Sequence, residues 1–302
     1  MEFLQQTING LSLGSVYALI ALGYTMVYGV LRFINFAHSD ILMLGAFSAF
    51  YLSPTVEKLM GPRTPMGALL VVILAAAICA MIGALIEFLA YRPLRNRPRL
   101  TVLITAIGVS LFIEFTCQNK LVFGSNPRPF PTLINDKQIH MGGLTVGSND
   151  LIVLAVTALL LVGMWFLVQK TKVGTALRAV SHNQQAALLM GVPVGRIITF
   201  TFALGSALAA VAGILYSLKF PSIEPLMGVQ PGLRAFIAAV VGGIGNIPGA
   251  VLGGLLIGLL ETFAGGIPGL SNYRDAIAFG ILILILLFKP AGLLGRSTIE
   301  KV

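Results

Sequence analysis

Apolar runs recur along the whole chain, each close to the roughly 20 residues a helix needs to cross the hydrocarbon core of a bilayer. Seven stand out, at residues 8–31, 36–52, 66–88, 100–117, 151–168, 197–218 and 276–288. Lipid offers no partners to backbone N–H and C=O groups, so each run must fold as a helix whose hydrogen bonds close within itself. The expected fold class is all-α: a polytopic transmembrane helical bundle of about eight membrane segments. No polar stretch is long enough to fold separately, and residues 1–302 are read as one membrane domain. With 57% hydrophobic and 10% charged residues, the surface cannot be mainly water-facing.

A net charge of +9 would suggest nucleic acid as the partner of a soluble protein. Here the cations cluster in short loops between apolar runs, which is how membrane orientation is encoded, and nucleic-acid binding is set aside. Arg92, Arg95, Arg97 and Arg99 form one group, Lys170, Lys172, Arg178 and Arg196 a second, and Lys289, Arg296 and Lys301 a third. Placing all three in the cytoplasm puts the N-terminus outside, the C-terminus inside, and segments 54–65 and 118–150 on the outer face. The first run has no basic leader or small-residue cleavage site, so it is expected to be a retained span.

The orientation closes only if residues 233–263 cross an even number of times. That stretch is two apolar pieces divided by Gly242-Gly243-Ile244-Gly245-Asn246-Ile247-Pro248-Gly249, a helix–break–helix hairpin. Two short crossings or a re-entrant pair both satisfy the count. The break is expected at membrane depth, where irregular backbone survives only if protein buries it or it lines an aqueous cavity. Arg234 is expected to be an interfacial anchor, and the spacings Gly249 to Gly253 and Gly254 to Gly258 to allow close helix packing.

Chemistry-bearing residues are sparse. Cys79 and Cys117 lie inside apolar runs without metal-ligand spacing and read as buried small hydrophobes. His38, His140 and His182 fall in three separate regions, with no nucleophile–base pair or metal motif. Glu87, Glu114 and Glu261 sit near the ends of their apolar pieces and Asp275 before the last, so no carboxylate is placed at a bilayer centre, where a proton-coupled carrier would need one. Paired interruptions of apolar runs can mark a solute path, because broken helices expose backbone dipole ends. The interruptions at residues 32–35 and 242–249 make Asn35, His38, Asp40, Gly242, Gly243, Gly245 and Asn246 the candidates for lining such a path. For His38 and Asp40 the alternative is a polar turn near the inner surface. For Asn246 it is a turn residue beside Gly245.

The longest cytoplasmic polar stretch reads as a short capped helix. Ser181 is expected as N-cap with Gln184 completing a capping box, Gly191 takes the left-handed C-terminal position, and Pro193 prevents continuation. So short a helix must dock on something to be stable. Ala186 and Ala187 let a surface approach the backbone, and Leu188 to Met190 supply apolar anchors, for a partner or for this protein's own surface.

Gln185-Ala186-Ala187, three residues and Gly191 resemble the Glu-Ala-Ala-x-x-x-Gly loop that ABC importer permeases insert into a groove on their ATPase. Gln185 stands where that family usually has Glu, so a salt bridge from this position is not expected. The resemblance extends to Ile34-Asn35-Phe36-Ala37-His38, Arg178-Ala179-Val180, the segment 207–213 and the segment 242–250, which look like LivH-type high-affinity branched-chain amino acid permeases. It implies a channel-forming subunit in the bacterial inner membrane that carries leucine, isoleucine and valine inward. It also implies ABC ATPase subunits, a LivM-like second permease and a periplasmic amino-acid binding protein as partners, with lipid around the subunit. Relatives of similar sequence serve urea, short amides or other amino acids, and a secondary carrier is the alternative from another class. The chain lacks a Gly-x-x-x-x-Gly-Lys-Ser/Thr phosphate loop, so ATP and Mg are expected on the partner ATPases and no cofactor here.

Overall fold

The computed structural model describes residues 2–295 apart from Asn96, Gly142, Gly143, Pro268 and Leu270. Arg296 and Lys301 of the third basic group lie outside the described residues.

A helix that is apolar all round belongs in a bundle interior, and α1 (Glu2–Leu31) is that helix, with 94% of its most apolar stretch buried. Around it pack α5 (Ser148–Lys170), α8 (Val194–Lys219), α9 (Val229–Gly242) and α10 (Ile247–Gly266). Apolar surfaces gain nothing by meeting inside lipid, so the fit depends on close backbone approach. Gly254 and Gly258 of α10 lie directly on Ala18 and Gly14 of α1, and a methyl added at Gly14 would come 2.9 Å from the Leu255 Cα.

The remaining long helices are α2 (His38–Met60), α3 (Pro65–Ile86), α4 (Arg99–Gln118) and α11 (Arg274–Phe288). Thr64 caps α3, accepting from the Gly67 N–H, and Pro65 fills the first position, where a missing N–H costs nothing. The helix continues through a π-helical turn, Glu87–Tyr91, and a 3-10 turn, Arg92–Leu94. Only 6% of the α11 span is buried, leaving an apolar side for lipid or another chain.

Among the described residues, seven helices are long and apolar enough to cross a membrane: α1, α3 with its extension, α4, α5, α8, α10, and α11 with its leading turn. Their ends define two faces. One carries α6 (Lys172–His182) and α7 (Gln184–Leu189), the other a hairpin of β2 (Gln138–Met141) and β3 (Leu144–Gly147). Arg32, Arg92, Arg95, Arg97, Lys170, Lys172, Arg178, Arg196 and Lys289 all fall at the α6–α7 face, with Glu87 as the carboxylate among the described residues there.

Two expectations need correction. The second span was expected to end near residue 52, but α2 runs on through Pro54 to Met60. It begins well inside the bundle, where His38 packs on Gly23 of α1, eight residues or about 12 Å short of the end of α1. A helix that starts that deep needs the extra turns to bring Glu57 and Lys58 out at the opposite face. The 242–249 break was expected at membrane depth, but residues 243–246 form the tip of an antiparallel hairpin at the α6–α7 face. Gly243 and Gly245 adopt φ of +107° and +92°, the left-handed region open to glycine. Leu293 and Leu294 N–H donate to the Val241 and Gly242 carbonyls (2.8 and 3.0 Å), and the Asn246 amide donates to the Leu294 carbonyl (2.6 Å). The C-terminal turn thus satisfies the tip.

Candidate functional site

Three polar constructions stand out against the apolar bundle. The first is α7. Its N-cap is Asn183, whose side chain accepts from the Ala186 N–H at 3.0 Å, and not Ser181, which lies inside α6. The expected capping box fails because α6 continues one residue past Ser181 and the two helices meet at an extended Asn183 (φ −154°, ψ 111°). Gln184 is then the first helical residue, and its amide donates to the Val30 carbonyl at the end of α1 (2.8 Å). Gly191 ends the element at φ +80°, as its sequence position required. Ala187 is turned inward and 4% exposed, whereas Ala186 faces outward with Gln185. Leu188, Leu189 and Met190 are 64%, 88% and 83% exposed. A short helix is thereby bolted to the bundle on one side and displays three large apolar side chains on the other.

The second construction lies at mid-depth. The chain turns back into the bundle after Arg32 through residues 33–37, and Gly228 and Gly232 of the chain entering α9 press against Ser39 at the start of α2. Residues 220–228 lead there from the β-hairpin side, where β4 (Ser222–Ile223) pairs with β1 (Arg128–Pro129). Two irregular segments from opposite faces therefore meet inside the membrane domain. Protein satisfies their polar groups, as lipid cannot. The Tyr91 hydroxyl donates to Asn35 Oδ1 (2.6 Å), Ser110 Oγ donates to Asp40 Oδ2 (2.5 Å), and Ser39 Oγ donates to the Phe36 carbonyl (2.9 Å). Asp40 stands in the first turn of α2, where the helix dipole favours an anion. The His38 ring packs at a 59° tilt against Tyr24, with centroids 4.6 Å apart, and its Nε2 has no hydrogen-bond partner among the described residues. Asn35, His38 and Asp40 are 1–2% exposed.

The structure thus brings Asn35, His38 and Asp40 together and places Gly242, Gly243, Gly245 and Asn246 elsewhere, at the hairpin tip. Sequence reasoning overlooked segment 220–228, whose Pro221, Pro225 and Gly228 between two apolar runs were the available signal.

The third construction is ionic. Arg234 of α9 pairs with Glu261 of α10 (2.7 Å) and Asp275 of α11 (2.8 Å), and the Tyr17 hydroxyl of α1 donates to the second Glu261 oxygen (2.8 Å). Arg234 is therefore a tie between four helices. Glu87, expected simply near a span end, is fully buried, ion-paired to Arg95 and bonded by the Thr199 hydroxyl (2.6 Å).

The family profile described as "Branched-chain amino acid transport system / permease component" matches residues 6–286. The chain is 41% identical to the high-affinity branched-chain amino acid transport system permease protein BraD of Pseudomonas aeruginosa, over 100% of this chain and 98% of that one. It is 40% identical, with the same coverage, to the corresponding permease LivH of Escherichia coli K12. A probable LivH of Methanocaldococcus jannaschii is 31% identical over 93% of this chain and 89% of its own. No solved structure matches.

Proposed function

The chain belongs to the branched-chain amino acid transport permease family, and from that premise we propose that it is the channel-forming subunit of an ABC importer that takes leucine, isoleucine and valine into the cytoplasm. It is a multi-pass membrane permease; on our reading residues 1–302 form one permease domain of the bacterial inner membrane, with the α6–α7 face cytoplasmic and the N-terminus outside. The excess of Lys and Arg at that face supports the orientation.

The observation that carries the coupling role is the presentation of α7. Asn183 and Gln184 fix the helix to the end of α1, while Gln185, Ala186 and the exposed Leu188, Leu189 and Met190 are left for a partner. We assign that surface to the ABC ATPase subunits, which hold ATP and Mg. The periplasmic binding protein and a LivM-like second permease complete the assembly. We assign Asn35, His38 and Asp40 to a closed constriction on the solute path, since irregular backbone at depth is retained where a path must open. Gly242, Gly243, Gly245 and Asn246 we assign to the hinge of the α9–α10 hairpin.

Replacing Leu189 by Glu is expected to reduce co-purification of the ATPase subunits at least tenfold, with membrane insertion unchanged. Association and leucine uptake at wild-type levels would remove α7 from the docking role. Uptake of urea or short amides in place of leucine by the reconstituted importer would move the substrate to the family's other solutes and leave the docking assignment standing.

A further inference from the structure

At the α6–α7 face, a groove of about 430 Å³ in the size class of a small-ligand site opens between the extension of α3 and the first turns of α8. Arg92, Gly195, Arg196, Thr199 and Phe200 line it. Its charge is unbalanced. Glu87 is occupied by Arg95 and Thr199, and among the described residues neither Arg92 nor Arg196 has a hydrogen-bond or ion-pair partner. The guanidinium of Arg92 rests instead on the Phe88 ring, 5.2 Å from its centroid. The start of α8 adds to the same field, because Pro193 in the N-cap position makes no side-chain bond to the first-turn N–H groups.

Below the cations the walls are apolar. Arg196, Phe200 and Ala203 follow one another at i, i+4 and i+7, so they form one stripe descending α8 into the membrane. Phe88, 53% exposed, lies beneath the Arg92 guanidinium and adds an apolar ring beside the groove. Both arginines sit at the ends of membrane-crossing helices. Cations at the rim with apolar walls running inward match an amphiphile whose anionic head lies at the interface.

We propose that this groove is a binding site for an anionic phospholipid, its phosphodiester held between Arg92 and Arg196 at the start of α8 and an acyl chain lying along Phe200 and Phe88. Free phosphate shares the headgroup chemistry but would leave the apolar stripe of α8 and the Phe88 ring uncovered, which is why the lipid is the occupant argued for. The site does not depend on which solute the permease carries.

The test is native mass spectrometry of the full chain extracted from bacterial membranes in mild detergent, with dioleoylphosphatidylglycerol or dioleoylphosphatidylcholine supplied as the probe. Wild-type protein is expected to retain phosphatidylglycerol in preference to phosphatidylcholine. Each arginine near a lipid headgroup is worth roughly fivefold, so Arg92→Gln with Arg196→Gln should reduce that preference about 25-fold. Ala203→Phe, which fills the groove without touching its charge, should also release the lipid and keeps the test open if the double variant folds poorly. Arg97→Gln, at the same face, should change nothing. Equal phosphatidylglycerol retention by wild type, the double variant and Ala203→Phe would overturn the site. So would displacement of the lipid by excess inorganic phosphate with Ala203→Phe behaving as wild type, since that describes a free-anion site.

Discussion

Removing one member of the Arg234 cluster tests whether it holds the bundle together. Arg234 and Glu261 are 17% and 8% exposed, so both are largely withdrawn from water, whereas Asp275 is 52% exposed. Arg234→Met leaves Glu261 with Tyr17 as its one strong partner, and breaking a buried pair from one side costs about 3–5 kcal/mol. Glu261→Leu is expected to cost less, about 1–3 kcal/mol, because Arg234 keeps two bonds to the half-exposed Asp275. Replacing a buried pair by apolar residues of similar volume is often neutral, so Arg234→Met with Glu261→Leu should be more stable than Arg234→Met alone. The coupling in a double-mutant cycle is then about 2–3 kcal/mol. Reversible unfolding of the purified permease in mixed micelles measures all four proteins. An Arg234→Met variant as stable as wild type, or single-variant losses that simply add, would show that the four residues do not act as a unit.

Other outcomes follow from single contacts. Asn183→Ala should cost α7 about 1 kcal/mol and weaken ATPase co-purification, while Ser181→Ala leaves both unchanged; the reverse pattern would restore the sequence-based cap. Gly258→Leu drives a side chain into the backbone of α1 at Gly14 and should lower thermal stability by at least the 1–3 kcal/mol typical of overpacking, whereas Gly163→Leu, with open space around its Cβ position, should be tolerated in the same melting assay. Ser110→Ala removes the described hydrogen bond to the buried Asp40 carboxylate and should cost about 1–3 kcal/mol by equilibrium unfolding, with Asp40→Asn in the same background recovering part of the loss.

What could be read from the sequence was set by local rules, and what could not was set by pairing. Length and hydropathy sufficed for six of the seven expected spans, since a bilayer imposes one element and one minimum length, but they misplaced the end of α2 and left α10 as half of a broken hairpin. Glycine at 191 and the hairpin tip at 243–246 follow from backbone conformations open mainly to glycine. The cap of α7 was missed because Ser181 and Asn183 are both good caps, and the packing of α6 on α1, α5 and α8 decides which is free. The ion pair of Arg234 was missed because its partner lies on the returning helix. With Gly242 against Gly249 and Ala238 against Gly253, Arg234 faces Ile257, one turn from Glu261, so the opposite charges were a readable hairpin signal once the register was known. Depth was the hardest quantity. A glycine-rich break and a proline-containing loop look alike in one dimension, yet the first lies at the surface and the chain of the second descends to Ser39. That difference bears on mechanism, because the surface tip is already saturated by the C-terminal turn. On the reading proposed above, a path would open instead at the seam of residues 33–40 and 220–232, where Gly228 and Gly232 meet Ser39 inside the bundle.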